Sequence, residues 1–179
     1  MSGKHARFPH ALILAMPLVF AAAHATAQDS SCTRYIELTA RMSDRPYRAL
    51  QTITMGSQKM QSEAIHVDGT LYTRQGDAKT GKWMATPVPD LKASIELARK
   101  TTSKCAVSGT EMIDGVTTQV WISYATTPFE PKPVQWKTWI GTGDGRIYRQ
   151  ASEGFDQRYV YSNVTAPPAS EIVQPRKKK

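Results

Sequence analysis

Histidine is scarce in this chain, and its scarcity limits the chemistry available to the protein. Only four histidines occur in 179 residues, and three of them precede residue 25, which leaves His66 alone in the rest. One imidazole cannot supply a zinc site that needs several histidine or cysteine ligands. The sequence also lacks G-x-S-x-G, the turn that presents a hydrolase nucleophile. The sequence therefore indicates a protein that is not an enzyme and needs no cofactor.

Long apolar runs are absent after the N-terminal segment. That segment carries basic residues near its start, an apolar run over residues 11–23 and an A-x-A site that ends at Ala27, an order typical of a secretory signal peptide. The run is shorter than the about 20 apolar residues of a transmembrane helix. Cys32 is not expected to be a lipid-modified first residue, because Asp29 stands where a lipoprotein signal needs a leucine-like side chain. We predict that residues 1–27 are removed after Ala27 and that the protein works in the periplasm.

Cysteine is scarce as well. Cys32 and Cys105 are the only two, and they lack the C-x-x-C spacing of redox motifs. In an exported protein a lone pair is most simply one disulfide. We therefore predict a Cys32–Cys105 bond, with a reactive thiol pair as the alternative.

Basic residues outnumber acidic ones, but most of the excess positive charge lies at the two ends of the chain. The net charge is +8, and two of the basic residues lie in the predicted signal peptide. Four more form the C-terminal tail: Arg176, Lys177, Lys178 and Lys179. The remaining domain is nearly balanced, which excludes a nucleic-acid-binding face. We predict a disordered basic tail over residues 167–179, which is either a solvated terminus or a peripheral contact with an anionic membrane.

The segment Gly109–Glu153 contains three of the four tryptophans on strand patterns. Residues 116–124 alternate between apolar and polar side chains, yet Trp121 falls on the more polar side. Residues 134–140 alternate in the same way, and Trp136 and Trp139 fall on opposite sides. Large aromatic residues on both faces are not expected in a single flat sheet that has one face in water.

The rest of the chain predicts two helices and a meander of strands. The first helix is expected over residues 31–43, with Ser30 or Ser31 as its cap. The second is expected from Leu91 to about Thr102, with Asp90 as its cap. Strands are expected at 47–55, 59–67, 70–74, 83–86, 105–112, 116–125, 134–140, 146–152 and 157–164. The proline-rich stretch between 125 and 134 is predicted to be a connection. These elements predict one α+β domain over residues 28–166, a large antiparallel sheet with both helices on one face.

Acidic residues next to glycines are explained by turns rather than by catalysis. Asp68, Asp114 and Asp144 each precede a glycine in a turn sequence. The G-T-G-D-G run at 141–145 would suit a phosphate-binding loop only if it opened a helix. A strand pattern follows it, so a hairpin turn is predicted.

The order of several short motifs also carries information. V-D-G-x-x-Y occurs at 67–72, G-K-W at 81–83, G-x-x-x-x-D-G at 109–115, V-W-I at 120–122 and W-I-x-x-x-D-G at 139–145. In this order, over about residues 31 to 165, they resemble the periplasmic lipoprotein-carrier superfamily, the LolA/LppX-like proteins. The resemblance implies an incomplete β-barrel, made from a large twisted sheet, whose concave apolar face is covered by helices. It also implies non-enzymatic binding of acyl chains or lipid-like groups.

We therefore expect a periplasmic protein that holds a lipid or another hydrophobic ligand between sheet and helices, with carriage of lipid or lipoprotein as one form of this role. The residues expected to line its groove are Ile53, Met55, Ile95, Ile122, Tyr124 and Trp136. The alternative is a protein-interaction module on the same fold, an envelope sensor or inhibitor that binds another envelope protein. That alternative predicts an exposed aromatic patch with no internal cavity.

Overall fold

The structure is a computed structural model that describes residues 20–76, 81–88, 90–126 and 132–173, with side chains from residue 30 onward. Its two helices are α1 (Phe20–Ala40) and α2 (Leu91–Thr101). Short 3-10 helices lie at Arg41–Asp44 and Ala169–Glu171. The strands are β1 (Tyr47–Met55), β2 (Gln58–Val67), β3 (Thr70–Gln75), β4 (Met84–Pro87), β5 (Thr102–Ile113), β6 (Val116–Ala125), β7 (Val134–Gly141), β8 (Ile147–Ser152) and β9 (Phe155–Val160).

The nine strands form one antiparallel sheet in the order β4-β3-β2-β1-β9-β8-β7-β6-β5. Most neighbours are joined by tight hairpins, as the turn sequences predict. At Asp68-Gly69 both residues have positive φ, 49° and 70°. Two left-handed residues are what a type I′ hairpin turn requires, and aspartate and glycine tolerate them best. Local turn chemistry thus explains the meander.

The sheet must curve because α2 joins its two edges. Eight inter-strand spacings of about 4.8 Å would separate the edges of a flat sheet by about 38 Å. The 11-residue α2 and its short connections can bridge at most about 30 Å, at about 1.5 Å per helical residue and about 3.3 Å per extended residue. The open sheet therefore bends into an incomplete barrel, which confirms the predicted fold class.

Both helices pack on one face of the sheet, here called the inner face. A disulfide joins Cys32 of α1 to Cys105 of β5, with the two Cα atoms 4.8 Å apart, so the predicted pairing is confirmed. Ile95 and Ala98 of α2 pack against the same apolar core as α1. The Asp90 side chain accepts hydrogen bonds from the backbone N–H groups of Lys92 and Ala93, at 2.7 and 3.1 Å, and is the predicted helix cap.

Helix α1 differs from its predicted bounds. It begins at Phe20 and passes through Ser30 and Ser31, which therefore do not cap it. The alanine-rich stretch before these serines has high intrinsic helix propensity and continues the helix backwards. Cleavage after Ala27 would leave residues 28–40 of the helix, including Cys32. Within the described residues no helix is long and apolar enough to cross a membrane.

Ordered structure continues past residue 166, the predicted end of the domain. Residues 169–171 form a 3-10 helix, and Ile172 makes a parallel bridge with Trp83 beside β4. The backbone N–H groups of Trp83 and Val173 donate to the carbonyls of Glu171 and Trp83, at 2.9 and 2.8 Å. The edge of the sheet thus offers unpaired backbone groups that bind this segment. The basic residues 176–179, most of the proline-rich connection, including Phe129, and residues 1–19 of the predicted signal peptide lie outside the described residues.

Candidate functional site

Helix α1 packs on the inner face from Cys105 of β5, to which Cys32 is bonded, to the ends of β7 and β8 that hold Ile140 and Ile147. The upper end of the sheet is defined as the end that holds the turns after β2, β5 and β7, and the lower end as the one that holds the turns after β1 and β8. The ring of Tyr35 lies 5.6 Å from that of Trp121, and its hydroxyl is 2.9 Å from Thr138 Oγ1. Tyr35, Trp121 and Thr138 are all buried. Trp121 of β6 and Thr138 of β7 therefore point to the inner face.

A cluster of aromatic side chains closes the upper end. Tyr47 stacks on His66, with ring centroids 5.2 Å apart, and meets Tyr159 edge to face at 5.6 Å. The Nδ1 atom of His66 lies 3.3 Å from the carbonyl oxygen of Arg45, and the residue is buried. His66 is therefore a packed core residue. Burial raises the pKa of Tyr47, and it raises the pKa of Tyr159 far above the usual value.

The buried tyrosines predict that the protein loses stability in alkali. The folded-state pKa values of Tyr47 and Tyr159 are raised above the unfolded value near 10. Their contribution is therefore complete below that pH and falls as pH rises through it, because the unfolded chain then releases protons that the folded chain keeps. Urea unfolding at about pH 9 and about pH 11 should give a lower midpoint at the higher pH. The decrease should be smaller for Tyr159→Phe, and equal decreases for both proteins would contradict the prediction.

The lower half of the inner face carries an apolar row formed by Met60, Ile53, Phe155 and Trp136. Ile53 pairs with Met60 on one side and with Phe155 on the other. The rings of Phe155 and Trp136 meet edge to face at 5.1 Å. They come from strands on either side of β8, where the small side chain of Ser152 leaves room between them. The row crosses five strands, or about 19 Å at about 4.8 Å per spacing.

The apolar row is open because neither helix reaches it. Helix α2 packs on α1 and β5 and makes few contacts with the rest of the described sheet. Met60 is 47% exposed, and Met55, next along the inner side of β1, is 55% exposed. An exposed apolar row on a curved face is unusual for a soluble protein without a partner for that face.

Two cavities open at the lower end of the sheet, and only the first adjoins the apolar row. One, of 760 Å³, is lined by Ile53 and Met60 together with Lys59 and polar residues of β2 and β3. The other, of 810 Å³, includes Gln135, Lys137 and Ala151, which the register places on the outer face together with Ile122 and Tyr124. The row and the first cavity form the candidate groove.

The register divides the six residues predicted to line the groove between two faces. Ile53, Met55 and Trp136 lie on the inner face at the lower end. Ile122 and Tyr124 alternate with Trp121 along β6 and therefore lie on the outer face. Ile95 is on α2, packed against the core. The six cannot line one groove, and ligand binding by those on the inner face stays a prediction.

The outer face also carries a buried aromatic side chain, Trp139, on the same side as Ile122 and Tyr124. Trp139 is buried under Lys137 and Arg149, whose charged groups lie 4.6 and 4.7 Å from its ring centroid. Its Nε1–H donates to Glu111 at 2.7 Å, and Lys137 donates to the same carboxylate at 2.8 Å. These hydrogen bonds, led by that of Lys137, hold the pKa of Glu111 below its usual value. Aromatic residues on both faces are thus confirmed, and the outer ones are covered by charged side chains.

Sequence reasoning missed Met60 and Phe155. The hairpin turn at Gly56 sets the pairing of β1 with β2, so Met60 could have been found opposite Ile53 from the turn alone. Phe155 follows Glu153-Gly154, which is typical of a turn, and the strand was predicted to begin two residues later. Only its pairing with Ser152 and Ile53 places it in the row.

The described residues contain no group of three or more histidine, cysteine, aspartate or glutamate side chains that could hold a metal ion.

No family model and no curated protein matches the chain in sequence. Among solved structures the chain is similar to the lipoprotein LppX of Mycobacterium tuberculosis, with a TM-score of 0.45, 10% identity, and coverage of 78% of this chain and 98% of that one. It is also similar to LprF of Mycobacterium bovis, with a TM-score of 0.46, 10% identity, and coverage of 79% and 98%. For the MucA/MucB complex of Pseudomonas aeruginosa the TM-score is 0.47 at 14% identity, with coverage of 77% and 58%.

Proposed function

We propose that the protein is a non-enzymatic periplasmic binding protein that holds a lipid or another hydrophobic ligand on the apolar row of its inner face. One observation carries the proposal: the row of Met60, Ile53, Phe155 and Trp136 lies uncovered on the inner face, and a cavity adjoins it at Ile53 and Met60. Burial of an acyl chain contributes about 0.8 kcal/mol per CH₂ group, so a row about 19 Å long supports useful affinity without polar contacts.

The side chains of the row suit a ligand without a rigid shape. Met60 and the neighbouring Met55 are unbranched and rotate freely, so they adapt to flexible chains. Phe155 and Trp136 add a rigid aromatic surface at the other end. The combination favours a long apolar chain over a compact polar metabolite.

The proposal is tested on the chain recovered from the secreted fraction without detergent. Native mass spectrometry should detect bound lipid, and a fluorescent palmitic-acid analogue should bind after lipid removal. The intact mass should also correspond to cleavage after Ala27. Absence of both bound lipid and probe uptake would contradict the proposed function, whereas retention of residues 1–27 would contradict the localisation alone.

A matched pair of variants locates the ligand on the inner face. Met60 and Leu50 lie on adjacent strands, are 47% and 49% exposed, and point to opposite faces. Met60→Gln should weaken probe binding about tenfold, because it removes part of the roughly 1.5–3 kcal/mol gained by burying this side chain. Leu50→Gln should leave binding unchanged. Equal effects of the two variants in a fluorescence titration would contradict the proposed groove.

A second candidate, a protein-interaction module, is favoured by the edge strand β5. This strand has 12 residues and, within the described sheet, pairs only with β6, and Val107 and Met112 on it are 46% and 71% exposed. A long unpaired edge can accept a strand from a partner protein. Under this candidate, co-purification of an envelope protein would be lost in Val107→Lys/Met112→Lys while probe uptake stayed normal. Loss of probe uptake without loss of the partner would favour the lipid-binding function.

A further inference from the structure

The charged residues of the sheet are segregated between its two faces. On the strands that carry or adjoin the apolar row, namely β1, β2, β7, β8 and β9, the register places every charged side chain on the outer face. These residues are Arg48, Lys59, Glu63, Lys137, Arg149, Asp156 and Arg158. The inner-face positions of the same strands hold apolar or uncharged polar residues and the buried His66. These strands therefore offer a ligand on the inner face no group of opposite charge.

Three glutamines form a second row on the inner face, here called the amide row. Gln51 of β1 pairs with Gln157 of β9, which pairs in turn with Gln150 of β8. Along β1 and β9 the glutamines stand two residues, or about 7 Å, from Ile53 and Phe155. All three are half-buried. The amide row therefore runs beside the centre of the apolar row.

The amide row presents hydrogen-bond donors to the groove. The side-chain oxygen of Gln51 accepts from Ser62 Oγ at 2.9 Å, and that of Gln150 accepts from the Tyr159 hydroxyl. Within the described part of the chain, no hydrogen bond uses the side-chain N–H groups of Gln51, Gln150 or Gln157. Each of these nitrogens is in contact with solvent. A ligand with acceptor oxygens can therefore bind them.

We propose that the ligand is an uncharged ester of a long-chain acid, whose carbonyl oxygen accepts hydrogen bonds from the amide row while its chain lies on the apolar row. The inference rests on the proposed function and specifies its ligand. A charged headgroup is disfavoured here, because it would leave water for a face without an opposite charge. An amide-linked lipid matches the row less well. Its N–H group needs an acceptor, and two of the three glutamine oxygens already accept a hydrogen bond.

The test compares three fluorescent probes with the same chain on the whole secreted protein: a palmitic-acid methyl ester, the matched methyl ether, which lacks the carbonyl group, and the free acid. The ester should bind about fivefold more tightly than the ether, as expected for the net contribution of one hydrogen bond. At neutral pH it should bind about tenfold more tightly than the acid, because the ionised carboxylate loses hydration at the amide row without gaining a cation.

Variants assign the carbonyl group to the amide row. Gln51→Leu/Gln157→Leu should remove most of the ester's advantage over the ether. The ratio of the two affinities is the readout, because a general loss of folding would weaken both probes alike. Gln135→Leu is the matched control, since this glutamine lies on the outer face of β7, and it should leave the ratio unchanged.

Three results would overturn the ester proposal and leave the proposed function standing. They are an ether that binds as tightly as the ester, an ester preference that survives in the double variant, and an acid that binds at least as tightly as the ester. Binding of none of the three probes would refute the proposed function itself.

Discussion

Replacing Cys32 and Cys105 together by alanine should lower the free energy of unfolding by about 4 kcal/mol, which would be among the largest losses for any change in this protein. The disulfide joins residues 73 positions apart, and an unfolded chain that is freed from so long a loop gains much conformational entropy. The bond also attaches α1 to an edge strand of the sheet. Urea unfolding of the double variant and of the unmodified protein, each monitored by tryptophan fluorescence, measures the difference.

The control is the unmodified protein in the presence of a reductant, which should unfold at nearly the same urea concentration as the double variant. Thiol titration of the unfolded, unreduced protein should find no free cysteine. A double variant as stable as the oxidised protein would show that α1 is held by packing alone. Two free thiols in the unreduced protein would favour the reactive-pair alternative instead.

Trp121→Ala should cost about 3–5 kcal/mol, the range for removal of a fully buried tryptophan. Trp121 is 2% exposed and forms the surface on which Tyr35 of α1 rests, with ring centroids 5.6 Å apart. Its loss leaves a cavity between α1 and the sheet that rigid neighbours cannot refill. We therefore expect both a lower urea midpoint and weaker binding of α1 to the sheet, the latter measured as faster amide hydrogen exchange in residues 32–40.

Tyr35→Phe is the matched control, because it keeps the ring against Trp121 and removes only the hydroxyl that lies 2.9 Å from Thr138 Oγ1. It should cost about 1 kcal/mol, the usual net contribution of one hydrogen bond, with the added penalty of an unpaired threonine hydroxyl. If Trp121→Ala cost no more than Tyr35→Phe, the packing of α1 on β6 would be refuted.

The two faces of the sheet illustrate how far pattern reasoning extends. Alternation along β6 groups Ile122 with Tyr124 and separates both from Trp121, and the structure has the same grouping. The apolar character of Ile122 and Tyr124 suggested that their side of β6 faces the groove. In the structure the opposite side of β6, which carries Trp121, is the inner one. Trp139, Lys137 and Arg149 cover the outer side, so apolar residues are buried there as well. When both faces are covered, composition no longer identifies the inner one.

The sequence by itself determined the features that depend on neighbouring residues in the chain or on the small number of cysteines. The Asp68-Gly69 hairpin and the Asp90 cap depend on residues within a few positions, and two cysteines allow only one intramolecular disulfide. Tertiary structure alone decided which face the helices cover and that Met60, Ile53, Phe155 and Trp136 form one row. The physical reason is that a strand's period of two specifies which side chains share a face but not what that face meets. That is decided by strand order, by the curvature that α2 imposes and by the half of the sheet that α1 leaves open.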